Sequence, residues 1–145
     1  MTAVVEFERR IAAPPAVVFR FLTEADNWVR WQGTEAVIEP RPGGVHRVNI
    51  RGDGFASGHV VEVVPDRRIA FTWGFEFPDN PLRPGSTLIE IDLAPDGDGT
   101  LLRFRQSALP DGFDAVARGW THYLDRLSQV AAGHDPGPDP NLRAL

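Results

Sequence analysis

Near the N-terminus Val5, Phe7 and Ile11 fall between Glu6, Glu8 and Arg10, a period-two pattern that predicts a half-buried strand over residues 3–11. Pro14 and Pro15 follow, then Val17, Val18, Phe19, Phe21 and Leu22. Proline is preorganised for a first helical turn, which predicts a short helix over 15–22. A second short helix is expected over 26–31, where Asp26 can cap the first amides and Trp28 and Trp31 share one face. The middle of the chain reads as strands over 34–39, 45–50, 55–64 and 68–77, each closed by turn-forming residues. After a Pro-rich stretch at 78–85, strands over 86–93 and 100–107 flank a turn at 95–99. From Pro110 the period becomes helical. Phe113, Val116, Trp120, Tyr123 or Leu124, Leu127 and Val130 predict an amphipathic helix of about twenty residues.

This order has hairpins but no alternating strand and helix units, so it predicts an α+β fold: an antiparallel sheet of about six to seven strands with one face covered by the last helix. With acidic and Arg residues taken as outward markers, the inward sets are His46, Val48 and Ile50, then Phe55, Ser57, His59, Val61 and Val63. Ile69, Phe71 and Trp73, then Ile89, Ile91 and Leu93, then Leu102, Phe104 and Gln106 complete them. Residues 1–132 form a single domain on this reading. Residues 133–145, rich in Pro, Gly and Asp, are expected to be a disordered tail.

Composition narrows the functions. A chain of 145 residues, 42% hydrophobic and 24% charged, suits one globular core. Its basic residues are all Arg and the net charge is -5, with no dense basic stretch to follow a phosphate backbone, so nucleic acid is not an expected partner. The absence of Cys removes disulfides and thiolate metal sites. No apolar run is long enough for a signal peptide or membrane span, so the expected location is the cytoplasm, without membrane insertion.

A four-residue loop at 51–54 would pair Ile50 with Phe55, Val48 with Ser57 and His46 with His59. Two imidazoles facing each other could share a proton or orient a polar ligand atom, beside the ordinary reading of solvated or satisfied histidines. A slip of one residue would send one of them to solvent. Gln106 and Tyr123 are the further polar candidates, and Trp73 and Trp120 the large aromatic ones. Two histidines without a carboxylate on their face fall short of a metal site, and Ser57 two residues from His59 is not aimed as a nucleophile. Arg51-Gly52-Asp53 is read as a hairpin tip, and Glu35, Glu39, Glu62, Glu90 and Asp92 as outward. No catalytic residue, metal or cofactor is assigned.

Several segments are familiar together: Arg10-Ile11-Ala12-Ala13-Pro14 leading to Val17 and Phe19, Trp28 to Trp31, and Pro42-Gly43-Gly44. Gly58 to Pro65, Phe71-Thr72-Trp73, Gly99-Thr100 and Gly119-Trp120 complete the set. Over about residues 3–132 the chain resembles the SRPBCC superfamily, related to START and birch-pollen-allergen folds, and in particular its activator-of-heat-shock-ATPase-like (AHSA-type) branch. The resemblance implies a helix-grip fold, a curved sheet wrapped around a long C-terminal helix, with a hydrophobic cavity between them. The expected cavity lining is His46, Val48, Ser57, His59, Val61, Phe71, Trp73, Ile89, Ile91, Phe104 and Gln106 from the sheet, with Val116, Trp120 and Tyr123 from the helix. The expected partner is a hydrophobic small molecule, lipid-like, aromatic or polyketide-like, bound by a monomer or weak homodimer. The alternatives are a polyketide cyclase or dehydratase using a cavity histidine, and a chaperone-activator-like interaction module. Fold does not choose among them.

Overall fold

A computed structural model describes residues 2–110 and 114–142. The N-terminal alternation forms β1 (Thr2–Ile11), and the double proline opens α1 (Pro15–Thr23) with Pro14 at its N-cap. Next come the single turn α2 (Ala25–Trp28) and the strands β2 (Glu35–Ile38), β3 (Val45–Asn49), β4 (Phe55–Val64), β5 (Arg68–Phe75), β6 (Thr87–Asp96) and β7 (Gly99–Pro110). The long helix is α3 (Asp114–Ala131); Phe113, placed in its periodic pattern by sequence, lies outside the described residues.

All seven strands form one antiparallel sheet in the order β1-β7-β6-β5-β4-β3-β2. Consecutive strands pair as hairpins except that β1 closes against β7, so α1 and α2 carry the chain from one edge to the other. This is the helix-grip α+β arrangement, with Trp120, Tyr123, Leu124, Leu127 and Val130 of α3 buried in the core cluster. The tryptophans of the α2 region share a face as their spacing predicts. Both are fully buried with ring centroids 4.5 Å apart, and Trp31 donates its indole N–H to the Phe21 carbonyl at 3.1 Å. On the outer face Arg68 gathers Glu62, Glu90 and Asp92, which are outward as expected.

The loop between β3 and β4 corrects the expected register. It spans residues 50–54, five residues where the sequence reading allows four, because Asn49 Oδ1 accepts the Gly52 N–H at 2.9 Å and the Gly54 N–H at 3.4 Å. Asn49 therefore pairs with Phe55, His46 with Gly58 and Val45 with His59. Ala56 and Val60, not Phe55, Ser57, His59 and Val61, face the core, until a bulge between Val60 and Glu62 restores the phase and turns Val63 inward.

The tail also departs from expectation. Over 134–142 it lies against α3: Arg126 donates to the Pro136 and Gly137 carbonyls at 3.4 and 3.0 Å, and Asp139 is buried. No helix among the described residues is long and apolar enough to cross a membrane.

A further irregularity makes a stability test. Opposite β1 the register jumps from Ala3↔Leu109 to Val5↔Gln106, and the extra β7 residue is accommodated with exposed Ala108 at φ 65°. A Cβ in the left-handed region is strained where glycine is not. Ala108→Gly is expected to raise the urea unfolding free energy by about 1 kcal/mol; a loss of stability would mean that the bulge costs nothing in this form.

Candidate functional site

The inner face of the sheet is filled at its centre. His46 is fully buried there, stacked on Phe71 with centroids 3.9 Å apart and planes 4° from parallel, with Trp28 edge-on at 4.9 Å and Trp73 at 5.7 Å. Neither ring nitrogen has a hydrogen-bond partner. Burial pushes its pKa down to about 3, so the imidazole is neutral at pH 7. His59 is exposed on the outer face, its Nδ1 3.2 Å from Thr72 Oγ1. The two histidines are thus on opposite faces of the sheet, and the facing pair suggested by a four-residue loop does not exist. Ser57 and Val61 lie on the outer face as well. Val48, Phe71, Ile89, Ile91 and Phe104 face inward but are packed in the core.

Gln106 is buried and bridges elements. It accepts the Trp120 indole N–H at 3.0 Å and donates to Thr87 Oγ1 at 3.0 Å, and the Thr87 hydroxyl donates to the Trp73 carbonyl. This relay ties α3 to β7, β6 and β5 and fixes the Trp120 indole, which faces open space.

That space is a cleft of about 590 Å³ at one end of the interior, between α3 and the β3 and β5 ends of the sheet. Trp73 and Phe75 of β5 form its floor with Ile50, the first residue of the five-residue loop. Val116, Gly119, Trp120 and Tyr123 supply the helix wall. Arg51, Phe77 and Asn80 form one lip, Pro140, Asn141 and Leu142 of the tail the other, and Gln32 reaches in from the turn after α2. Of the side chains expected at a cavity, Trp73, Val116, Trp120 and Tyr123 are brought together here.

The lips are shaped locally. Gly54 is needed because a Cβ there would sit 1.6 Å from the Phe77 ring, and the Arg51 guanidinium lies over that ring at 4.7 Å. At the tail, His122 Nε2 is 3.0 Å from Asp139 Oδ1. Burial, and then the Asp139 carboxylate, hold the Tyr123 phenol above its usual pKa. Burial opposes ionisation of Asp139 too, but the Asn141 amide, His122 and Tyr123 outweigh it and keep the carboxyl below its usual value.

Sequence reasoning missed Gln32, Arg51, Phe75, Phe77, Asn80, Gly119 and the tail residues. The alternation Trp73, Phe75, Phe77 was a usable signal for the floor. Nothing local in residues 134–142 announces packing; it depends on Arg126, whose Nε also donates to the Trp31 carbonyl at 3.1 Å. Among the described residues no group of three or more His, Cys, Asp or Glu is placed to hold a metal.

Residues 12–132 match the family model described as Activator of Hsp90 ATPase homolog 1-like protein. An AHSA1-like protein from Rhizobium etli, solved by NMR, is 48% identical, with 100% of this chain and 92% of that chain covered and a TM-score of 0.76. DynU16, from the dynemicin biosynthetic locus, has the same fold at 22% identity and a TM-score of 0.79; 97% of this chain is covered against 51% of that one. CalU16 from Micromonospora echinospora has the fold at 24% identity and a TM-score of 0.70, with 91% and 78% covered. No match is found among curated proteins.

Proposed function

Given that the chain belongs to the Activator of Hsp90 ATPase homolog 1-like family of the SRPBCC superfamily, we propose that it binds a mostly apolar small molecule, lipid-like, aromatic or polyketide-like, in the cleft between sheet and α3. The observation that carries this reading is the cleft itself, about 590 Å³ with walls of Trp73, Phe75, Phe77, Val116 and Trp120. Sites of this size and character suit small-molecule binding. Covering about 300 Å² of apolar ligand surface supplies roughly 7 kcal/mol before ordering costs, so polar contacts at the cleft must add to it. On this reading the protein is a cytoplasmic monomer or weak homodimer.

Gly119 provides the test. A Cβ at this helix position would meet no described atom within 4 Å, so a larger side chain can enter the cleft without a clash. Leu is also the better helix former by about 0.8 kcal/mol. Gly119→Leu is expected to keep or raise the melting temperature while lowering affinity for a bound molecule about tenfold or more, because it occupies volume the ligand needs. The measurement is tryptophan quenching and thermal shift against a panel such as oleate, 2-naphthol and anthraquinone derivatives. A panel without any response, or equal binding by wild type and variant, counts against the cleft. The cyclase alternative needs a histidine at the bound molecule, and neither His46, sealed in the core, nor His59, on the outer face, is one.

A further inference from the structure

From the polar groups at the cleft we infer the charge of its ligand: a flat aromatic molecule bearing a carboxylate or acidic enol oxygen, held by Arg51. The inference rests on the binding role proposed for the cleft and specifies what binds there. The chain has 20 acidic residues, yet none of the described lining residues is Asp or Glu, and Arg51 is the one charged residue among them. The side-chain amides at the cleft are biased the same way. Gln32 Oε1 accepts the Trp28 indole N–H at 3.0 Å and Asn80 Oδ1 accepts the Leu82 N–H at 2.8 Å, so each amide has its NH₂ left to offer. A site rich in donors and poor in acceptors favours an acceptor-rich, negatively charged group.

Arg51 is held in place for this. Asn49 shapes its loop and the Phe77 ring supports its guanidinium face. Its nearest carboxylate is Asp53, 3.6 Å from Nε, a long contact between part-exposed side chains. Such a pair between part-exposed side chains is weak in water. An incoming anion therefore has little to displace. The rings of Phe75 and Phe77 stack on each other, centroids 5.7 Å apart with 9° between planes, so the surroundings of Arg51 are aromatic and suit an aromatic ligand.

The experiment compares 2-naphthoate with 2-naphthalenemethanol, an anion and a neutral molecule of nearly the same shape, by tryptophan quenching at low ionic strength. The wild type is expected to bind the acid about tenfold more tightly than the alcohol, with the preference shrinking as salt is added. Arg51→Gln should bring the acid down to the affinity of the alcohol, and Arg51→Lys should keep part of the preference. Equal binding of both probes by wild type overturns the assignment to an anion, a preference that survives in Arg51→Gln overturns the role of Arg51, and either result leaves the cleft standing. If neither probe binds, the cleft reading itself falls and this inference with it.

Discussion

Acidifying the protein from pH 7 to pH 5 is expected to lower its unfolding free energy by about 2 kcal/mol through His46 alone. The imidazole has a folded-state pKa of about 3 against an ordinary 6.5. The unfolded chain therefore takes up a proton first. The stability contributed by keeping this group neutral is fully present above the unfolded pKa near 6.5 and is lost progressively as the pH falls toward 3. His46→Phe should remove this part of the acid sensitivity. It should also raise stability at pH 7 by about 1–2 kcal/mol, since two buried ring nitrogens without partners are replaced by carbon among Trp28, Phe71 and Trp73. Urea unfolding of both proteins at pH 7 and pH 5 decides it. Parallel losses in the two would show that His46 is not the group that titrates.

Gln106→Leu should be costlier at neutral pH. The substitution nearly keeps the volume but strands the Trp120 indole N–H and removes the donor to Thr87, both in buried surroundings. Leaving such groups unpaired is expected to cost about 3 kcal/mol, or roughly 10 °C in melting temperature for a chain of this size. Trp120 is also a wall of the cleft, so ligand affinity should fall with the loosening of its indole, visible as a loss of near-UV circular dichroism in the folded variant. A variant with unchanged melting and an unchanged aromatic spectrum would show that the relay positions nothing.

The strands and the long helix were legible because their periods are local. Ile89, Ile91 and Leu93 repeat every second residue around Glu90 and Asp92, Ile69, Phe71 and Trp73 keep the same period around the small residues Ala70 and Thr72, and each set is buried as that pattern predicts. In α3 the spacing of Trp120, Tyr123, Leu124, Leu127 and Val130 does the same with a helical period. β4 was misread because its inner residues, Ala56 and Gly58, are small and do not look like core. Small residues belong there: the facing space is filled by the ring of His46, and a Cβ on Gly58 would lie 2.0 Å from the Thr72 carbonyl oxygen. A one-residue difference in one loop, set by the Asn49 side chain, exchanged the two faces of that strand and with them the fate of His59.

By itself the order of residues determined the class of fold, the strand and helix periods, and the burial of Phe71, Trp73, Phe104 and Trp120, because each of these follows from near neighbours along the chain. Only the tertiary structure decided that His46 is sealed away from His59, that Gln106 braces Trp120, and that Arg51, Phe77 and the tail enclose the cleft. These depend on groups distant in sequence meeting at fixed distances, and no local period encodes such a meeting.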